Sequence, residues 1–239
     1  MISGLKVAVL IPAYNESDRL SGLLARMPQD VVDTVLVVSD GSTDGTPDAV
    51  RMAGGVVIER SERGGPGPSI RDGLRYLQGI DCEVVVVMAA NGKHSPEQIP
   101  DLVVPLVEEG FDLVRGSRHS AGAYHENIPW HRQILTLVFT CLFNLFLWTK
   151  VTDATGGFQA YRLSVLDDPR IDLWQPWLGR YEVETYLFAK LLMLGYRWKE
   201  VPVRITYPAR GQTYTRARVV IDWWGYFRPV VLLSLRIKH

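Results

Sequence analysis

Short apolar segments alternate with amphipathic segments over residues 6–88. The apolar segments are rich in valine and isoleucine, whereas the amphipathic segments repeat an apolar residue every three or four positions. The first pattern predicts buried strands and the second predicts helices. The predicted strands are 6–11, 34–38, 56–58 and 83–88, and the predicted helices are 16–27, 44–52 and a segment from the loop 63–68 to residue 78. Continuous apolar strands that alternate with helices indicate an α/β fold with a parallel sheet covered on both faces.

Polar residues directly follow three of these predicted strands, in the segments 14–16, 39–42 and 89–92. Ligands bind beyond the carboxyl ends of the strands in such sheets, so these segments are candidates for a binding site. The Asp40 carboxylate can accept hydrogen bonds from a base or a ribose, Tyr14 can stack on a base, and Glu16 can accept from it. Each of these residues taken alone fits an ordinary turn or helix start equally well.

The second half of the chain is rich in aromatic residues and carries scattered arginines. No low-complexity linker or internal repeat separates it from the first half, so we predict that it completes the same site within a single domain. Residues 133–149 carry no charge, and Leu, Phe, Val and Trp dominate them. About 17 residues are at the short edge of a membrane span. Because this segment also contains Gln133, Asn144 and threonines, we predict a helix that is buried or lies on a membrane surface.

Composition narrows the classes of function. Lys plus Arg total 26 and Asp plus Glu total 26 among 239 residues, and this balance argues against nucleic-acid partners, which usually require a basic excess. The two cysteines, Cys82 and Cys141, lack metal-ligand spacing and indicate a reducing compartment. The apolar run from Val7 to Ile11 is too short for a signal peptide. We therefore expect a cytoplasmic protein.

Several segments taken together resemble family-2 glycosyltransferases of the GT-A fold. Residues 11–16 and 38–46 resemble the opening of these enzymes, and the other matching segments are 65–73, 116–118, 130–132, 153–162, 195–196 and 200–203. Their order is similar to that of dolichyl-phosphate mannose synthase and its bacterial relatives. The resemblance implies a GT-A domain over residues 1–215, with a nucleotide-binding half at about 1–117 and an acceptor-side half at about 118–215. Residues 216–239 would form an amphipathic extension.

The resemblance also implies roles for individual residues, and an arginine fork suits phosphate oxygens. The nucleotide-sugar site would comprise Pro12, Tyr14, Glu16, Val38, Asp40, Asn91, Lys93, Arg118 and Arg210. The acceptor site would comprise Arg132, Thr136, Thr155, Gly156 and Gly157. The catalytic candidates are Asp153, Glu184 and Arg118. Glu182 is a further candidate base, although both Glu182 and Glu184 also fit as first-turn acids of a helix.

One segment departs from the family pattern. The family usually carries Asp-x-Asp after the fourth strand to bind a divalent cation, and Ala89-Ala90-Asn91 stands in its place here. Mg²⁺ prefers anionic oxygens, whereas alanine offers no ligand and Asn91 offers only a neutral carbonyl. A Mg²⁺ or Mn²⁺ cofactor is therefore doubtful. Lys93 would supply part of the missing positive charge if it faces the diphosphate, and otherwise it is an ordinary solvated lysine.

These observations favour a glycosyltransferase that moves a sugar from a nucleotide sugar to an acceptor with inversion. A polyprenyl phosphate or other membrane lipid is the preferred acceptor, which places the enzyme at the inner face of the membrane. One alternative is a soluble glycosyltransferase that acts on a small natural-product hydroxyl or amine. Another alternative is a catalytically silent module that binds nucleotide sugars. Neither the sugar nor the oligomeric state follows from the sequence.

Overall fold

The computed structural model of the chain describes Ile2, residues 4–207 and residues 221–238. The helices within these residues are α1 (Ser17–Leu24), α2 (Thr46–Met52), α3 (Pro66–Gln78), α4 (Ile99–Glu108), α5 (Trp130–Leu147), α6 (Glu182–Met193) and α7 (Ile221–Ser234). The strands are β1 (Val7–Ala13), β2 (Thr34–Asp40), β3 (Val56–Arg60), β4 (Val84–Val87), β5 (Leu113–Ser117), β6 (Tyr124–Glu126), β7 (Gln159–Arg162), β8 (Trp198–Pro202) and β9 (Arg204–Thr206).

Seven strands form one sheet in the order β3-β2-β1-β4-β7-β5-β8. Strands β1 to β4 run parallel to one another, as does the pair β5 and β8, whereas β7 is antiparallel to both of its neighbours. Strands β6 and β9 pair separately as a small parallel sheet. The predicted α/β fold with a mostly parallel sheet in a single domain is therefore confirmed.

Apolar side chains from alternate strand positions fill two cores, one on each face of the sheet. One core joins Ala8 and Leu10 to α3, α5, α6 and α7, and the other joins Val7 and Val9 to α1, α2 and α4. A strand that is apolar at every position can supply both cores, because successive side chains point to opposite faces. This requirement explains the all-valine composition of β4, whose four residues are buried.

The predicted first half matches the structure closely, with shifted boundaries. Strands β1 and β2 extend to Ala13 and Asp40, beyond the predicted ends at residues 11 and 38. Helix α1 ends at Leu24, before the predicted end at residue 27. The predicted domain boundary at 215/216 lies outside the described residues and stays a prediction.

The uncharged segment forms most of α5, which packs against α7 through aromatic rings. The rings of Phe139 and Phe227 are 5.9 Å apart, and those of Phe146 and Phe227 are 5.6 Å apart. Helix α5 is long and apolar enough to cross a membrane by length and composition alone, which is a weak indication. Its opposite face is exposed, and Trp148 at its end is 93% exposed.

Candidate active site

A cavity of about 780 Å³ opens at the carboxyl ends of β1, β2 and β4. Its size lies within the range of small-molecule sites. Most of the site residues expected from the sequence line it. They are Pro12, Tyr14, Glu16, Asp40, Asn91, Lys93, Arg118, Arg132, Thr136, Thr155, Gly156, Gly157 and Glu184. The fold therefore brings together residues that lie up to 172 positions apart along the chain, from Pro12 to Glu184.

Hydrogen bonds join the loop after β1 to the loop after β2 and fix the cavity rim. The backbone of Asn15 adopts a positive φ of 51°, and its amide N–H donates to Ser42 Oγ at 3.1 Å. In return, its side-chain Oδ1 accepts from the Thr43 N–H at 2.8 Å. The Glu16 N–H donates to Thr46 Oγ1 at 3.0 Å. These bonds hold Tyr14 and Glu16 at the edge of the cavity near Asp40.

The Asp40 carboxylate is buried and is occupied by partners from the chain itself. Its Oδ1 accepts from Arg60 Nε at 3.0 Å and from the Gly64 N–H at 2.9 Å, and its Oδ2 accepts from the Gly65 N–H at 2.6 Å. Asp40 therefore lines the cavity while it holds the glycine-rich loop that precedes α3. These contacts indicate a positioning role, in addition to the nucleoside contact that the sequence predicts.

Cationic side chains contact the two other rim residues, Tyr14 and Glu16. The guanidinium carbon of Arg63 lies 4.1 Å from the centroid of the Tyr14 ring, a cation–π contact. Arg19 Nη1 donates to Glu16 Oε2 at 2.6 Å. The ring of Tyr14 and the carboxylate of Glu16 are therefore held in place on the cavity wall.

The segment after β4 brings Lys93 and His94 to the cavity. Burial, together with the positive charges of Arg132 and Arg118, lowers the pKa of Lys93 to about 8. Burial and the charges of Arg118 and Lys93 lower the pKa of His94 to about 3, so this imidazole is neutral. Asn91 Oδ1 accepts from the Lys93 N–H at 3.3 Å. Three cationic side chains thus share one region of the cavity.

Asp153, one of the candidate bases named from the sequence, is paired with Arg118 in the structure. It is fully buried, it does not line the cavity, and its two oxygens accept from Arg118 Nε at 2.6 Å and Arg118 Nη2 at 2.8 Å. Burial alone would raise the pKa of Asp153, but the charge and hydrogen bonds of Arg118 hold it well below its usual value. A carboxylate held ionised in this way orients Arg118 and pins the loop to Thr155, whose N–H donates to Oδ1 at 3.1 Å.

Two other residues named from the sequence, Val38 and Glu182, do not line the cavity. The Val38 side chain is fully buried in the core beside Leu36 and α3, because its position on β2 faces that layer of the fold. Arg210 lies outside the described residues. Glu182, the additional candidate base, accepts from the Tyr181 N–H at 3.1 Å and lies 3.8 Å from Arg228, and it does not line the cavity.

Close backbone contacts shape the inner end of the cavity. A methyl group on Gly67 would lie 2.1 Å from the carbonyl oxygen of Gly179, so the start of α3 can approach the loop before α6 only with glycine there. A methyl group on Gly156 would lie 2.8 Å from the carbonyl oxygen of Gly116. The absence of side chains at these positions lets the backbone segments around the cavity approach one another closely.

Several cavity residues were not among the site residues predicted from the sequence. Arg115 from β5, His94, Arg180 and the α7 aromatics Trp223 and Tyr226 all line the cavity. The sequence does contain a signal for Arg115, which is the one charged residue of β5. A buried cation is costly unless partners compensate its charge. Among the described residues, no group of three or more His, Cys, Asp or Glu side chains could hold a metal ion.

Comparison with known proteins identifies the class of this molecule. Residues 8–168 match the glycosyl transferase family 2. The polyprenol monophosphomannose synthase of Mycolicibacterium smegmatis is 31% identical over 84% of this chain and 77% of its own length. The undecaprenyl-phosphate mannosyltransferase of Micrococcus luteus is 31% identical over 92% of this chain and 94% of its own length.

A solved structure shows the same fold. Glucosyl-3-phosphoglycerate synthase from Mycobacterium tuberculosis, in complex with Mn²⁺, uridine diphosphate and glucosyl-3-phosphoglycerate, aligns with a TM-score of 0.71 and 19% sequence identity. The alignment covers 99% of this chain and 82% of that protein. The fold is thus that of a GT-A glycosyltransferase. The chain belongs to glycosyl transferase family 2, and the expected resemblance is confirmed.

Proposed function

We propose that this enzyme transfers a hexose from a nucleotide sugar to a polyprenyl phosphate at the inner face of the cytoplasmic membrane. The observation that carries the proposal is the wall formed by α5. This wall begins with the cation Arg132, near Lys93 and Arg118, and continues with Leu135 and Phe139. The named functions of the two mannosyltransferase relatives make mannose the first sugar to test.

The wall suits an acceptor with a charged head and an apolar tail. Arg132 and Thr136 are one helical turn apart and both line the cavity, so they can bind a phosphate together. Further along, Trp223 and Tyr226 of α7 add aromatic surface opposite Phe139. A phosphate group at Arg132 would therefore place its first prenyl units against apolar side chains.

The proposed reaction is one displacement with inversion. An oxygen of the acceptor phosphate attacks the anomeric carbon, a new carbon–oxygen bond forms, and the bond to the nucleoside diphosphate breaks. The acceptor is already anionic, so no proton needs to be removed and no general base is required. The chain's contribution is to orient the two substrates and to stabilise the charge that develops on the leaving diphosphate.

The residues after β4 do not fit a divalent-metal centre. Ala89 and Ala90 offer no side-chain ligand, and Lys93 brings a positive charge to the place where a cation would be bound. Residues 208–220 contain no Asp or Glu, so they cannot supply the missing carboxylates. We propose that Lys93 and Arg118 neutralise the donor diphosphate and that Arg132 binds the acceptor phosphate, while any metal ion binds weakly and chiefly through the donor.

Membrane association is proposed from the outer face of α5. Large apolar side chains are exposed along it at roughly helical spacing, and they are Trp130, Ile134, Leu137, Val138, Leu145 and Trp148. Exposed apolar patches of this kind mark interaction surfaces. The exposed Lys150 follows the helix and can face anionic lipid headgroups. A peripheral enzyme of this form would bring the cavity mouth to its lipid substrate.

The decisive experiment compares acceptors with the purified enzyme. A nucleotide-sugar panel is first screened by thermal shift, because a bound donor stabilises the fold by mass action. The stabilising donor is then incubated with undecaprenyl phosphate, with undecaprenol and with a water-soluble alcohol. The proposal expects transfer to the phosphate only. Transfer to the soluble alcohol, with the lipid phosphate inert, would instead establish the soluble alternative.

Membrane binding is tested separately by flotation with vesicles that contain phosphatidylglycerol. Leu145→Glu should reduce the bound fraction without changing turnover on a short-chain, water-soluble polyprenyl phosphate. Met52→Glu is the matched control, since Met52 is a large apolar side chain exposed on α2, away from α5. Equal loss of binding in both variants would contradict a membrane-binding face on α5.

A further inference from the structure

Arg115 is a buried cation whose hydrogen bonding is incomplete within the described residues. It is 2% exposed, its Nη1 donates to Gln159 Oε1 at 2.6 Å, and its Nη2 donates to the carbonyl oxygens of Gly156 and Ala154. Its guanidinium carbon lies 3.9 Å from the centroid of the Phe188 ring. These contacts fix the guanidinium rigidly, yet its Nε finds no acceptor among the described residues. A buried donor without a partner costs free energy, so it calls for an explanation.

Glu184 is the opposite case: its carboxylate has no hydrogen-bond donor among the described residues. It lies in the first turn of α6 and lines the cavity half-buried. Within the part of the chain that the structure describes, its carboxylate makes no hydrogen bond and no ion pair within 4 Å. Burial raises the pKa of Glu184 to about 7, although the nearby charge of Arg115 works in the opposite direction. Its carboxylate is therefore an acceptor that the protein has left open.

The two groups line the same end of the cavity without forming a direct ion pair. Between them lies the Gly156-Gly157 turn, where a methyl group on Gly157 would come within 3.4 Å of Glu184 Oε1. The absence of side chains at this turn keeps the space beside the carboxylate open. A cationic donor and a carboxylate acceptor thus border one small volume. Both residues line the cavity, and sugar hydroxyls suit such a pair of groups, because a hydroxyl can accept from an N–H and can donate to a carboxylate.

We propose that Arg115 and Glu184 bind hydroxyl groups of the sugar that is transferred. The inference rests on the proposed donor class, a nucleotide sugar. A hexose ring carries several adjacent hydroxyls, and a carboxylate beside a guanidinium can select among their stereochemical arrangements. Glu184 thereby acts in donor recognition, and not as the proton acceptor that the sequence suggested. This role agrees with a phosphate acceptor, which needs no base.

The test measures donor binding by calorimetry and needs no lipid. Wild type, Glu184→Gln and Glu184→Ala are each titrated with GDP-mannose and GDP, and with UDP-glucose and UDP. Glu184→Ala should weaken binding of the preferred nucleotide sugar about 10- to 100-fold, the range for loss of a hydrogen bond to a charged group, while leaving the nucleoside diphosphate affinity within about two-fold. Arg115→Met should likewise weaken binding of the nucleotide sugar more than binding of the nucleoside diphosphate. Glu182→Gln is the matched control from the same helical turn and should change neither affinity.

The isosteric Glu184→Gln keeps the test informative if the alanine variant is poorly folded. Its amide retains an acceptor oxygen, so it should keep measurable turnover with weaker or altered hexose preference. Turnover abolished in this variant with donor affinity unchanged would overturn the proposal in favour of a general base. An equal loss of nucleotide-sugar and nucleoside diphosphate affinity would overturn it as well. Since these titrations contain no acceptor, their failure is distinct from failure of the polyprenyl phosphate assay.

Discussion

Arg118 and Asp153 form a bidentate ion pair, with Nε donating to Oδ2 at 2.6 Å and Nη2 donating to Oδ1 at 2.8 Å. Asp153 is fully buried, whereas the Arg118 side chain is 12% exposed and reaches the cavity. The pair joins the end of β5 to the turn that carries Thr155, and it positions a cation at the cavity wall. Asp153 is thus a positioning residue.

Asp153→Asn should destabilise the fold as well as slow the reaction. Removing one partner of a buried ion pair leaves the other charge uncompensated, which typically costs about 3–5 kcal/mol. Chemical denaturation followed by circular dichroism measures the free energy of unfolding, and turnover is measured on the same preparation. A variant that is inactive yet as stable as wild type would point to a direct chemical role for Asp153.

The contacts of Asp40 predict that Arg60 influences nucleotide binding from outside the cavity. Asp40→Ala should weaken nucleotide binding by about 1–3 kcal/mol, the range for a hydrogen bond to a charged group. Arg60→Ala should reproduce part of this loss, because Arg60 Nε donates to the same carboxylate without lining the cavity. Calorimetry on both single variants and the double variant gives their coupling energy. Strictly additive losses would mean that Asp40 acts on the nucleoside alone.

Chelation should leave a substantial fraction of the activity. The cationic side chains near Lys93 keep their charge in the absence of a metal ion, whereas Ala89 and Asn91 offer no carboxylate. Turnover is measured after exhaustive treatment with a chelator and then during titration with Mg²⁺ and Mn²⁺. An all-or-none metal requirement, together with tight metal binding to the nucleotide-free protein, would refute this prediction. The double variant Ala89→Asp/Asn91→Asp provides the comparison and should bind Mn²⁺ more tightly than wild type.

Arg132 should determine how the enzyme uses its acceptor, with little effect on binding of the donor. Arg132→Ala should raise the KM for polyprenyl phosphate or lower kcat by about 10-fold or more, because a charge-assisted hydrogen bond to phosphate is lost. Nucleotide affinity should change by less than about two-fold, well under 1 kcal/mol. Steady-state kinetics and calorimetry separate the two effects. Collapse of donor binding with unchanged acceptor dependence would show that the helix contacts the donor.

The raised pKa of Glu184 predicts how the stability of the fold should depend on pH. Its pKa is raised from 4.5 to about 7, so between these values the folded protein holds a proton that the unfolded chain has released. This contribution to stability is complete below the unfolded pKa and is lost as the pH rises through 7. The free energy of unfolding of wild type should therefore fall relative to Glu184→Gln between about pH 5 and about pH 8, by more than about 1 kcal/mol. Parallel pH profiles of the two proteins would contradict the raised pKa.

The sequence by itself determined the sheet and most of the cavity rim. Buried parallel strands need apolar side chains on both faces, so β1, β2 and β4 stand out as continuous apolar runs. The carboxyl ends of such strands meet at one edge, and for this reason the sequence alone predicts that Tyr14 and Asp40 line one cavity, as they do in the structure. The motifs that resemble those of family-2 glycosyltransferases then added Arg118 and Arg132 to the predicted site.

Only the tertiary structure decided what the charged residues do. A carboxylate has the same appearance in the sequence whether it is open or paired, and the difference between Asp153 and Glu184 arises from partners that are distant along the chain. Asp153 lies 35 residues from Arg118, and Glu184 lies beside Arg115 without pairing with it. Burial and long-range pairing set the protonation and the availability of each group, and both depend on how the strands and helices pack together.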